Sequence, residues 1–492
     1  VHKLLSASLA LALAAPIGAM AETPPATASD IAALKEEIAA MRASYEARLR
    51  QMEERLKAAE TASAAAATTA TAANAQPAPA SPGDATAVAA QPAPPAAAPQ
   101  PAFTPSAVNP AAATAAGGGA NAFNPALSLI LSGTYAHTRL DPDNYRITGF
   151  KLPPGAEVGP GTQGFSLAET ELGIAANIDP WLRGAANISL HPDDTVSVEE
   201  AFIQTTSLGN GLTIKAGRFF SGVGYLNSQH SHTWDFVDAP LAYQAMLGTQ
   251  FGDDGVQFSW LAPTDQYIEL GLELGRGRSF PASDNNRNGA GMTAITAHTG
   301  GDIGDSHNWR AGLSMLNAKA NDQVFETDNV AGPGTFNGRT TVWVADAVWK
   351  WAPGGNATRT NFKLQGEYLR SRRDGLLNYS DVSGAALPAF GYRTTQSGWY
   401  LQGIYQFMPR WRVGLRTENL NPGPAGLDTL GEPFPGPIYH PRKHSLMLDF
   451  NPSEFSRVRL QLAQDRARLN QSDTQLFLQY QMSLGAHGAH SY

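Results

Sequence analysis

The chain has 492 residues, with 35 Lys and Arg against 43 Asp and Glu, and no cysteine. A mean hydropathy of −0.24 and a longest apolar run of residues 9–15 exclude a bundle of membrane-spanning helices, since each needs about 20 apolar residues. The missing cysteines exclude disulfides, thiolate metal sites, cysteine nucleophiles and a lipid anchor, and a net charge of −8 speaks against a nucleic-acid partner, whose phosphates repel it.

Residues 1–21 carry the marks of a secretory signal: His2 and Lys3, an apolar stretch from Leu4 to Ala15, and Ala19-Met20-Ala21 as a small-x-small cleavage site. Residues 22–60 are predicted to form a short periplasmic coiled coil. Asp30 is placed to cap a helix. Ile31, Leu34, Ile38, Met41, Tyr45, Leu49, Met52 and Leu56 keep a spacing of three and four, with one stutter after Tyr45. Such a narrow seam suits self-association; a single helix docking on its own barrel is the alternative. Residues 61–123 are rich in Ala, Pro and Thr and nearly uncharged. They cannot bury a core and read as a disordered tether, with a reach on the order of 45 Å.

From 124 to 492 the pattern changes to short alternating runs. In residues 475–484 the even positions are Leu, Leu, Tyr, Met and Leu, and the odd ones Gln, Phe, Gln, Gln and Ser. Sixteen such runs, from near Leu127 to near Thr474, predict an all-β fold: a transmembrane antiparallel barrel of about sixteen strands, apolar outward and polar inward. Alternate connections are short, as at Asp179-Pro180 and Pro409-Arg410; the others are long, at 139–164, 225–250, 323–340, 375–396 and 421–440. Short turns on one rim and long loops on the other is the outer-membrane pattern, with the short turns and both chain ends periplasmic. Trp181, Trp260, Trp309, Trp349, Trp351 and Trp411 fall beside the short turns, and Trp343 and Trp399 toward the other rim, as two interfacial girdles require.

Parity places Glu169 and Glu171 in the lumen from the second run and Glu269 and Glu273 from the seventh. Arg412 and Arg416 face in from the thirteenth run, and Arg457 and Arg459 from the fifteenth. Arg183, Lys215, Arg310, Lys350, Lys363, Glu367 and Glu418 also face in. Charges here require water, because at the lipid face each costs about 2–4 kcal/mol at midplane. In a sixteen-strand barrel the seventh and fifteenth runs stand opposite, so an acidic wall is expected to face a basic one; alternatively the charges pair and hold the wall in shape. Bulges are expected near Glu200 and Arg218. Loop 225–250 is apolar and aromatic for an exposed loop, which predicts that it folds inward as a constriction carrying His230, His232, Asp235 and Asp238. His230, His232 and Asp235 form a candidate zinc site; hydrogen-bonded constriction residues are the plainer alternative.

Phe165-Ser-Leu-Ala-Glu-Thr-Glu-Leu-Gly, Lys215-Ala-Gly-Arg-Phe-Phe, Asp235-Phe-Val-Asp-Ala-Pro-Leu and Phe258-Ser-Trp-Leu-Ala-Pro-Thr resemble a family of proteobacterial outer-membrane proteins. Some of its members are labelled zinc-regulated TonB-dependent receptors. The barrel is also similar to phosphate-selective O/P porins, and the coiled coil, tether and barrel together are similar to DcaP-like trimeric porins. The resemblance implies a porin-like fold and a trimer.

The expected function is passive, selective diffusion of small polar or charged solutes across the outer membrane of a Gram-negative bacterium. Partners would be lipid, further copies of the chain (as a trimer) and the solutes, with no cofactor beyond the candidate zinc. A zinc-uptake receptor and a tether between outer membrane and cell wall are the alternatives. No GxSxG or HExxH motif is present, and enzymatic activity is not expected.

Overall fold

A computed structural model describes residues 125–168, 170–284, 289–325, 334–379, 385–386, 388–423 and 439–485. The signal, coiled coil and tether, and also Glu169, lie outside the described residues.

Seventeen strands follow in chain order: β1 (Ala126–Thr138), β2 (Gly164–Leu167), β3 (Thr170–Asn177), β4 (Leu182–Leu190), β5 (Val196–Thr205), β6 (Leu212–Phe220), β7 (Gly252–Leu261), β8 (Tyr267–Gly275), β9 (Met292–Ile303), β10 (His307–Phe325), β11 (Gly334–Trp351), β12 (Asn361–Asn378), β13 (Phe390–Met408), β14 (Trp411–Asn421), β15 (Arg442–Ser453), β16 (Ser456–Arg466) and β17 (Asp473–Gly485). Both β2 and β3 pair with β1, at Gly133–Leu167 and Ile130–Glu171, so they are two halves of one stave. The other edge of β1 pairs with β17, from Ser128–Gly485 to Thr138–Gln475. Every pairing is antiparallel and the sheet closes into a sixteen-stave barrel without a free edge.

Alternation decides which face is which. On β17, Leu478, Tyr480, Met482 and Leu484 are about half exposed, whereas Phe477, Gln479, Gln481 and Ser483 are buried in the interior. The same outward series continues with Leu446 and Leu448 on β15, Leu270, Leu272 and Leu274 on β8, and Val458, Leu460 and Leu462 on β16. The result is a continuous apolar outer belt, far larger than the patch a water-soluble monomer exposes. Trp181, Trp260, Trp343 and Trp399 are all at least 40% exposed on that outer surface.

Two of the expected long loops are mostly strand. The pairs β10–β11 and β12–β13 continue to Phe325–Gly334 and Leu377–Phe390, which makes these four strands 18 or 19 residues long, against 8 to 10 in β3–β8. Their ends hold together through Phe325, Phe336, Leu377, Tyr379 and Tyr392, an aromatic cluster that needs no loop.

The lumen has its own hydrophobic core. The segment between β6 and β7 folds inward and carries one helix, α1 (Leu241–Leu247), all of whose residues are buried. It packs on inward-facing Leu316, Val342, Val344, Leu369, Tyr400 and Leu420. The segment after β1 lies over it: Ile147 joins the same core, the Gly159 N–H donates to Gln244 at 2.8 Å and the Tyr145 hydroxyl to Asp465 at 2.9 Å. Burial of the larger apolar side chains of this cluster, at about 1.5–3 kcal/mol each, keeps the inner segments in place.

Candidate functional site

The inward segment runs across the barrel from one wall to the other. At one end, His230 and His232 dock on β3–β5. A bulge prepares this wall: Asn187 of β4 pairs with Glu200 and Ile188 with Val198, so Glu199 is the extra residue. An inserted residue breaks the two-residue period. Here it turns two consecutive glutamates toward the lumen while Val198 and Ile203 stay outside.

His230 Nε2 lies 3.0 Å from Glu200 Oε2, and its Nδ1 lies 3.2 Å from Glu199 Oε2 and 3.3 Å from Glu171 Oε2. His232 Nδ1 is 3.0 Å from the same Glu171 oxygen. Both imidazoles are buried and stacked at 5.5 Å. Burial pushes the His230 imidazole down, but Glu171, with hydrogen bonds to Glu199 and Glu200, carries it well above the ordinary histidine range.

At the other end, Asp235 pairs with Lys363 of β12 and with Arg412 of β14. Asp238 accepts from Arg416 at 2.7 Å, Lys443 at 2.6 Å and Gln461 at 2.9 Å. Arg416 and Lys443 are fully buried, so these are desolvated pairs in which losing one partner strands the other. Burial pushes the Asp238 carboxyl up, but Lys443 and Arg416 outweigh it and hold the group far below the usual aspartate range. Lys363, then Arg412, do the same for Asp235.

Between these ends, Glu367 of β12 accepts from the backbone N–H groups of Tyr225 and Leu226 and from the hydroxyls of Tyr243 and Tyr400. Gly224 makes the close approach. Its φ is +72°, and a Cβ would stand 2.4 Å from Glu367 Oε2 and 2.6 Å from the Tyr243 hydroxyl. Gly224→Ala is therefore expected to destabilise the folded barrel by about 1–3 kcal/mol, read as a lower temperature for loss of the compact, heat-modifiable form on a gel. An unchanged temperature would mean that the turn relaxes freely.

These contacts correct two expectations. Asp235 is not a partner of the histidines; beyond the one-turn 3-10 helix Ser231–Thr233 it reaches Lys363 of β12 and Arg412 of β14, and Glu171, with the glutamates of the β5 bulge, takes its place. Nor do an acidic and a basic wall face each other across water. Glu273 accepts from Ser221 and the Gly222 N–H, Arg459 pairs with Asp449 at 2.7 Å, and Glu171, Glu273, Arg416 and Arg459 are each 5% exposed or less. The segment joins the walls, offering histidines to the acids and aspartates to the bases. Arg457 donates to the carbonyls of His232 and Trp234 and to Gln481, and Arg412 also reaches Asp449. Glu269 lies near Tyr267 and His298.

The half of the lumen toward the short turns is different. Arg183, Lys215, Arg310, Lys350 and Lys363 enter it from β4, β6, β10, β11 and β12, and all five keep intermediate exposure. Lys215 stacks over Phe202 and Arg310 over Tyr225. Lys215 faces the carboxylates of Glu200, Glu273 and Glu269, Arg310 faces that of Asp346, and Lys363 pairs with Asp235. Sequence parity identified these cations singly; the register aligns Arg183 with Lys215 through Gln204 and pairs Lys350 directly with Lys363.

No protein-family model matches the chain. An uncharacterized protein of Aquifex aeolicus (strain VF5) is 30% identical over 350 residues, covering 67% of this chain and 70% of that protein. The chain belongs to the same family as the Aquifex protein. Among solved structures, the barrel is similar to the trimer form of OmpT, an outer membrane protein of Vibrio cholerae (10% identity, 73% of this chain and 99% of that one, TM-score 0.47). It is also similar to an anion-selective porin from Comamonas acidovorans (11%, 73% and 99%, TM-score 0.46) and to the outer membrane channel DcaP of Acinetobacter baumannii (9%, 73% and 97%, TM-score 0.45).

Proposed function

We propose that the chain is an outer-membrane channel of porin type that passes small solutes, anions in preference to cations. One observation carries this reading: a closed barrel with an apolar outer belt holds a cluster of part-exposed Arg and Lys side chains inside. Such groups are stable only where water reaches them, and their field raises the local concentration of anions. The sidedness follows from the turns, with the short-turn rim and both barrel ends in the periplasm. The inward segment narrows the lumen at mid-height and sets the size limit. Assembly as a trimer is part of the proposal, supported by the heptad spacing of residues 31–56.

Purified protein in a planar bilayer is expected to give discrete conductance steps. Under a salt gradient the reversal potential should carry the sign of chloride preference. Absence of steps sinks the channel reading; a cation-signed potential sinks the solute class.

A further inference from the structure

The His230–His232 contact with the acidic wall has the composition and spacing of a metal site. With bonds of about 2.0–2.2 Å, neighbouring donors around a tetrahedral zinc stand roughly 3.3–3.6 Å apart. Glu171 Oε2 lies 3.3 Å from His230 Nδ1 and 3.0 Å from His232 Nδ1, and the three donor atoms all fall within 4.8 Å of one another. Glu199 Oε2 stands 3.2 Å from His230 Nδ1, beside this three-donor cluster, and a fourth position is left for solvent.

The surroundings also match. A metal-binding imidazole is commonly oriented by a carboxylate on its other nitrogen, and Glu200 Oε2 stands 3.0 Å from His230 Nε2. Glu200 is itself fixed by Asn187 and by the Phe220 N–H. Ser189 donates to the second Glu199 oxygen at 2.7 Å. Three glutamates meet two histidines at one largely buried spot. Two imidazoles with carboxylates select a zinc-class transition metal over calcium or magnesium, which take oxygen donors.

We propose that Glu171, His230 and His232 bind one zinc-class divalent ion, with Glu200 positioning His230, and that the ion staples the constriction segment to the β3–β5 wall. The site does not rest on the channel reading, because binding is measured without conductance.

The experiment uses full-length protein without a histidine tag, stripped with chelator and titrated with zinc chloride by calorimetry. One zinc per chain is expected. His232→Ala and Glu171→Gln should each weaken binding at least 10-fold and Glu200→Gln about 10- to 100-fold, whereas His444→Ala, on the outer face, should leave it unchanged. Each variant is first shown to keep the compact, heat-modifiable form. X-ray absorption of the wild-type zinc complex, which needs no variant, should show imidazole scattering and a nitrogen/oxygen shell. Lack of saturable binding, binding indifferent to His232→Ala and Glu171→Gln, or a shell without imidazole overturns the proposal.

Discussion

Asp238→Ala is expected to lower the unfolding temperature of the barrel sharply and to make its conductance noisy. The carboxylate accepts from Arg416, Lys443 and Gln461, and the two cations are about 2% and 0% exposed. Truncation leaves Arg416 with Glu418 and the backbone carbonyl of residue 238, and Lys443 with Asp465. Removing one member of a buried ionic cluster costs about 3–5 kcal/mol. The loss falls on the inward segment, so its position in the lumen should fluctuate. Asp238→Asn keeps the shape but not the charge and should fall between the two. Thermal unfolding followed by gel shift, together with single-channel recording, checks both effects. An Asp238→Ala barrel as stable and as quiet as the wild type would show that α1 and its apolar contacts hold the segment unaided.

The second large effect concerns selectivity. Replacing Arg183, Lys215 and Lys350 together by Gln should abolish most of the anion preference. A unit charge 10 Å from an ion in water contributes about 0.4 kcal/mol. Three such charges act with opposite sign on anion and cation, a difference of about 2.5 kcal/mol unscreened, so the permeability ratio should fall by several tens-fold in dilute salt. The change should shrink near 1 M, where the screening length is about 3 Å. Reversal potentials at two ionic strengths test this directly. An unchanged ratio would locate selectivity in the constriction segment instead.

Much of this was readable from the residues. Stave number and the in–out assignment follow from alternation, because the barrel wall admits only two directions for a side chain. The inward course of residues 225–250 follows from Trp234, Phe236 and Leu241, which an exposed loop has no reason to carry. What could not be read was which wall each charge of that segment would meet. His230 and Asp235 are close in sequence and sit on opposite sides of the lumen, while Glu171 reaches His232 from a strand some sixty positions earlier. The bulge left a trace in Val196–Thr205, where two adjacent glutamates interrupt an otherwise alternating run; only an extra residue lets both avoid lipid. The apolar inner patch was hidden for a related reason. Val342, Trp343, Val344 and Ala345 are continuous because one set faces lipid and the other a helix, and such a run has no period to detect. The segment after β1, with Tyr145 and Ile147 over α1, gave no comparable signal.

The unequal staves give the described barrel one high wall. Eighteen residues at about 3.3 Å each, tilted near 45°, rise roughly 42 Å, whereas the nine-residue staves opposite rise about half as far. Along these four staves a membrane band of about 25 Å is therefore overtopped by some 15–20 Å of paired strand. On the channel reading, a solute that enters from that rim passes this wall of paired strand before it reaches the lumen.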